Sequence, residues 1–238
     1  MGTDRVEREE GLPGTIALII GVTGSIGGAL NTRLCHSGAF SKVLAVSRPA
    51  LDITREESVA ALAEEIATMP QDLVLVVDAT GYLHDANAMP EKSWRQLDPE
   101  LLAKAFRVNA IGPAILMKYF LPLLPRDRRS VFATLSARVG SIGDNKLGGW
   151  YGYRASKTAL NQFVRTAAVE LKRKKPLAIC VALHPGTVDS KLSAPFAKSN
   201  LEVRSAAEAA GQLLAVIDDL EPRNSGGFYD HRGDTIEW

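Results

Sequence analysis

The feature that most constrains this chain is a rhythm in which short apolar runs alternate with longer amphipathic stretches. The runs at 15–21 (TIALIIG), 42–47 (KVLAVS), 72–79 (DLVLVVDA), 129–136 (RSVFATLS), 177–184 (LAICVALH) and 226–230 (GGFYD) read as strands. A further short strand is expected to end at 51–53 (LDI). Most of these runs lack polar alternation, as expected of strands covered on both faces. Helical stretches fall at about 26–37, from Thr54 to about Met69, at 99–124, 151–174 and 205–218. Thr54 is the expected N-cap of the second helix, with Glu56 and Glu57 in its first turn. Such alternation predicts an α/β fold, a doubly wound parallel sheet with helices on both faces. Ligands of such sheets sit outside the carboxyl ends of the strands.

A length of 238 residues suits one domain with a sizeable core. The formal net charge of +1 gives no bulk attraction to nucleic acid or to an acidic membrane. The basic run Lys172–Lys175 reads as the carbonyl end of a helix. Cys35 and Cys180 lack ligand-like spacing and are expected as buried free thiols in a reducing compartment. Residues 1–14 read as a flexible charged tail, with residues 15–238 forming the domain. The tail has no apolar core of the signal-peptide kind, and Val6 breaks a myristoylation motif. No apolar run approaches the ~18 residues of a membrane span. A cytoplasmic protein is the expectation.

The chemistry-bearing motifs cluster after the strands. GVTGSIGGAL (21–30) joins the first strand to the first helix. Its Gly21, Thr23, Gly24, Ser25, Ile26 and Gly27 would let the backbone approach a pyrophosphate at a helix N-terminus. The spacing is not G-x-G-x-x-G, and a plain tight turn is the alternative. After the second strand, Ser47 and Arg48 stand where a carboxylate commonly holds the adenosine ribose. A guanidinium binds a 2′-phosphate that a carboxylate would repel, which favours NADP(H) over NAD(H). Otherwise Arg48 is a solvated loop residue. Asp52 either reaches an adenine amino group or caps the next helix. Ala79, Thr80 and Gly81 leave room for a cofactor against a strand end. Tyr153 and Lys157 lie one helical turn apart. A phenol titrates near 10, and a neighbouring ammonium together with a cationic nicotinamide ring would lower that value by ~2–3 units. His84 and His184 read as loop residues, and no metal site is expected.

Together these residues resemble the short-chain dehydrogenase/reductase family along nearly the whole chain. GVTGSIGG resembles its glycine turn, with Ser25 at the usual middle glycine; DATG (78–81) resembles its Asn-Asn-Ala-Gly element. VNAIGP (108–113) resembles the central helix that supplies Asn109, YRASK (153–157) the Tyr-x-x-x-Lys signature, and HPGTVDS (184–190) the Pro-Gly segment along the nicotinamide. Finer stretches are similar to a C-factor-like branch related to small carbonyl reductases.

The resemblance implies a single Rossmann-type domain and reversible hydride transfer between NADPH and a carbonyl or alcohol. Tyr153 would be the proton donor, Lys157 would tune it and hold the ribose, and Asn109 would hold a relaying water. Pro185, Gly186 and Val188 would line the cofactor. In LSARVG (135–140), Ala137 takes the family's serine position if Gly140 fixes the register, so Ser136 or, second to it, Ser141 supplies the hydroxyl, or the protein works without one or is not a working enzyme. The segment 191–200 reads as a substrate lid. The stretches at 99–124 and 151–174, with Ile115, Leu116, Leu160 and Phe163, imply a homodimer or homotetramer. The competing reading is a dinucleotide-binding signalling or sensor protein with little turnover.

Overall fold

The computed structural model describes residues 12–190, 193–196 and 203–238. Its strands are β1 (Leu12–Ile20), β2 (Phe40–Val46), β3 (Asp72–Asp78), β4 (Ser130–Leu135), β5 (Ala178–His184), β6 (Thr187–Val188), β7 (Val203–Arg204) and β8 (Phe228–Asp230). The helices are α1 (Ser25–Ser37), α2 (Glu56–Ala67), α3 (Pro99–Phe106), α4 (Gly112–Phe120), α5 (Tyr151–Lys174) and α6 (Ala206–Asp219). The central sheet has six strands in the order β2-β1-β3-β4-β5-β8, all parallel, and β6 pairs with β7 apart from it. This is the doubly wound arrangement that the alternating pattern predicts.

Both faces of the sheet are covered. Ile16, Leu18 and Ile20 of β1 point to one face, where they meet Phe132, Cys180 and the helix residues Leu116, Phe120, Leu160 and Val164. Ala17 and Ile19 point to the other, against Leu30 and Leu34 of α1 and Leu213 and Ile217 of α6. Full burial of each large aliphatic side chain contributes about 1.5–3 kcal/mol. That two-sided burial is why these strands read as unbroken apolar runs.

The structure corrects several expectations. Residues 51–53 form no strand. The Leu51 N–H donates to the Ser47 carbonyl in a tight turn, and Leu51 and Ile53 are buried in the core instead of paired in the sheet. Thr54 is not the N-cap of α2; its hydroxyl donates to Asp52, and Arg55 takes the cap position. The stretch at 99–124 is interrupted. A π turn spans Arg107–Ile111, where the Gly112 N–H bonds the Arg107 carbonyl, just before Pro113, which has no N–H to donate. Cys35 is exposed on α1, whereas Cys180 is buried. His184 ends β5 and is not in a loop. Strand β1 begins at Leu12, inside the expected tail; residues 1–11 of that tail lie outside the described residues. No described helix is long and apolar enough to cross a membrane.

Candidate active site

The sheet order reverses between β1 and β3, and a crevice opens there at the carboxyl ends of the strands. Gly21 lies at φ 91°, and a Cβ on it would fall 3.1 Å from the Ala79 carbonyl carbon. A Cβ on Gly27 would fall 2.3 Å from the Gly21 oxygen, so this turn needs glycine at both places. Gly24 is the N-cap of α1 and gives no side-chain cap, which leaves first-turn N–H groups to an anion. A cavity of about 560 Å³ follows, lined by Gly21, Thr23, Gly24, Ser47, Arg48, Asp52, Ala79, Thr80 and Gly81. Arg48 is exposed at its edge. The Asp52 carboxylate is held by the Thr54 N–H and hydroxyl, and these bonds keep its pKa low.

A second cavity of about 420 Å³ holds Ile26, Ser136, Tyr153, Pro185, Gly186 and Val188 in its walls. Tyr153 sits in the first turn of α5, and burial alone pushes its phenol up to about 12. Lys157, one turn on, is 2 % exposed and donates to the Leu135 carbonyl at 2.7 Å. Burial draws its ammonium down to about 8, against the pull of buried Asp78. In the chain without cofactor the phenol is thus raised by burial, opposite in direction to the lowering expected when an ammonium and a cationic nicotinamide act on it together.

Asn109 lies in the π turn and is fully buried. Its Oδ1 accepts from the Tyr82 N–H at 2.7 Å, and its Nδ2 donates to the Tyr82 carbonyl and to Ser156. The side chain thus clamps the loop after β3 to α5. Lys157 and Asn109 both come within 3.9 Å of where a Gly81 Cβ would stand, so the wall of the first cavity and the candidate relay meet at this glycine. Ser136 Oγ donates to Asn161 at 2.7 Å. Ser141 Oγ accepts from the Asp144 N–H and is not in the cavity wall. Ser25 is exposed on α1 and Gly27 is buried beneath the turn; neither lines a cavity.

Sequence reasoning missed several residues of these walls. Trp150, Phe196, Leu83 and Arg154 line the second cavity, and Lys104, ion-paired to Asp85, lines the first. Arg154 bonds the carbonyls of Val139, Gly148 and Gly149 and so closes the base of the segment between them. His184 also lines the second cavity. Burial holds its imidazole well down, at about 4, and its Nδ1 has no bonding partner among the described residues.

A family model described as enoyl-(acyl carrier protein) reductase matches residues 32–219. The 1-hydroxy-2-glutathionyl-2-methyl-3-butene dehydrogenase of Rhodococcus sp. is 33 % identical over 190 residues, covering 80 % of this chain and 79 % of that protein. The chain belongs to the short-chain dehydrogenase/reductase family. The match carries the family and not the enoyl substrate of the model's description. C-signal of Myxococcus xanthus is 35 % identical over 137 residues, covering 58 % of this chain and 78 % of its own length. Among solved structures, the carbonyl reductase Sniffer of D. melanogaster superposes with a TM-score of 0.78 at 22 % identity, covering 94 % of this chain and 99 % of that one. An NADPH-bound carbonyl reductase from chicken fatty liver gives 0.76 at 22 % identity with the same coverage. At those identities the structures speak for the fold alone. Within this short-chain dehydrogenase/reductase the C-factor-like branch that the sequence resembles is supported by C-signal.

Proposed function

We propose that this short-chain dehydrogenase/reductase is an NADPH-dependent carbonyl reductase. The observation that carries the reading is Tyr153 in the wall of a cavity beside the nucleotide crevice, with Lys157 buried behind it. The crevice fits a dinucleotide: the glycine turn is a cradle that a Cβ would fill, and the α1 N-terminus is uncapped by any side chain. Arg48 at the adenosine end suits a 2′-phosphate, and three of the structural relatives have NADP or NADPH bound. Ser47, Asp52 and Ala79–Gly81 would line the adenosine side; Ile26, Pro185, Gly186 and Val188 would line the nicotinamide side.

The bound cofactor supplies the hydride. Tyr153 gives its proton to the carbonyl oxygen; a phenol near 12 is fully protonated at neutral pH and ready as a donor. Lys157 supplies positive charge beneath that phenol and steadies it as it becomes phenolate. Ser136 is the hydroxyl that would orient the carbonyl, since it lines the cavity and Ser141 does not. Because the Asn109 side chain is committed to Tyr82 and Ser156, a relaying water would rest on its backbone carbonyl, in the π turn.

NADPH oxidation followed with a panel of aldehydes and ketones tests this reading. A second reading, a dinucleotide-binding sensor, is favoured by Ala137 and by the Ser136 hydroxyl already donating to Asn161. Tight NADPH binding without turnover of any carbonyl would establish it in place of the first.

The helices α4 and α5 would pair two copies. Leu116 and Leu160, counted toward that surface from the sequence, are core residues, and Ile115 packs against the core. The exposed apolar contribution is Phe163, beside Met117, Leu121 and Ala167 in a groove between the two helices. The expected lid at 191–200 falls mostly outside the described residues; of it, 193–196 are described.

A further inference from the structure

Trp150 is the N-cap of α5 and, among the described residues, the one non-glycine at positive φ, 53°. A bulky side chain is strained there, and such strain persists only where the surroundings over-determine it. The surroundings here are Glu91. It lies in the loop after β3 and is 7 % exposed. Its backbone carbonyl accepts from the Trp150 N–H. Its carboxylate oxygens accept from the Gly152 N–H at 3.3 and 3.2 Å. Glu91 therefore caps α5 from 61 residues away, at the positive end of a helix that its own N-cap side chain leaves open. Glycine at 152 admits the carboxylate: a Cβ would fall 3.0 Å from Glu91 Oε1.

Held in this way, the indole meets two rings edge-on. Its centroid is 6.2 Å from that of Tyr153 at 70°, and 4.9 Å from that of Phe196 at 63°. It still lines the cavity, together with Leu83, Val139 and Leu147. A carbonyl group brought to the Tyr153 hydroxyl has its substituents against this aromatic wall. Planar rings gain from edge-to-face and offset contacts with such a wall; a saturated ring of the same size fills space without that gain.

We propose that Trp150 is a specificity-determining residue that selects aryl carbonyl compounds over saturated ones of equal size, and that Glu91 is the positioning residue that holds it. The inference rests on the carbonyl reductase reading and names the substrate class of that site.

The test compares acetophenone with cyclohexyl methyl ketone. Binding is measured calorimetrically with and without NADP⁺, and NADPH oxidation is followed with each ketone. The expected result is binding of acetophenone about three- to tenfold tighter. The ratio should fall to within about twofold in Trp150→Leu and Glu91→Ala, while Trp150→Phe and Glu91→Gln keep most of it. Loss of fold at the α5 N-terminus would spoil Glu91→Ala alone; Trp150→Leu and the Gln rescue still decide. Equal binding in the parent protein, or a ratio that survives Trp150→Leu, overturns the proposal even if both ketones are reduced. Discrimination in binding with no turnover of either ketone or of any carbonyl in the wider panel upholds the aromatic wall and removes the reductase reading instead.

Discussion

The Lys157 ammonium lies 6.0 Å from the centre of the Tyr153 ring, and burial acts on the two groups in opposite senses. The phenol is driven up to about 12 and the ammonium down to about 8, so each is pushed toward its neutral form. Below about 8 the lysine is charged and the tyrosine carries its proton, which is the pair of states that carbonyl reduction requires. As pH rises through that value the ammonium is lost while the phenol stays protonated. The expected kcat/KM profile for reduction therefore has one descending limb near pH 8. A rate that climbs steadily across that range would contradict the assignment.

Tyr153→Phe removes the proposed proton donor and little volume. Turnover should vanish while NADPH binding stays near that of the parent. Lys157→Ala should lower turnover and weaken NADPH binding together. Tyr151 lines neither cavity, so Tyr151→Phe should stay within about tenfold, or ~1.4 kcal/mol of barrier. Steady-state kinetics and cofactor titrations on the three variants check all of this. An inactive Tyr151→Phe beside an active Tyr153→Phe would reverse the assignment.

Arg48 makes no hydrogen bond or ion pair with any described residue, so its guanidinium is available to a phosphate. NADPH should bind more tightly than NADH by roughly ten- to a hundredfold, the worth of hydrogen bonds to a charged group. Arg48→Ala should remove most of the difference. Equal dissociation constants in the parent protein would dismiss the preference.

Gly27→Ala places a methyl 2.3 Å from the Gly21 oxygen. Overpacking of that kind destabilises by about 1–3 kcal/mol. The shift should appear in urea unfolding, together with weaker NADPH binding, because the turn that moves is the one that would hold the pyrophosphate. A variant with parent stability and parent affinity would show that the turn is not closed as described.

Phe163 is 42 % exposed beside the groove between α4 and α5. A dimer at micromolar concentration should be seen by light scattering, and Phe163→Glu should shift it toward monomer. A monomeric parent protein would remove the expectation of assembly.

The sheet was legible because its strands are buried on both faces, so Ile16–Ile20 and Ala178–Leu183 read as apolar without interruption. Leu51 and Ile53 misled for the same reason: their burial reports packing in the core, not pairing in the sheet. The π turn needed Pro113 to be weighed inside an otherwise good helical pattern. Tyr153, Lys157 and the glycine turn stood out as candidates because the chemistry proposed for them depends on local spacing. The grip of Glu91 on Trp150 and Gly152, and the partners of Asn109, join loops that are distant in sequence, and no local period records them. Cys35 looked apolar by type, but its place on α1 turns it to solvent.

Arg154 ties Val139 to Gly148 and Gly149, and its backbone is part of the helix that bears Tyr153. The segment between those carbonyls, with Ile142 turned outward and Leu147 exposed at the rim of the cavity, is a loop with a locked base. Changes in its length or sequence can reshape the mouth of the cavity while Tyr153 keeps its place. On the proposed roles the fold separates two tasks: residues 141–147 are free to vary the rim of the cavity, while Tyr153 and the Trp150 that caps its helix stay fixed at the start of α5.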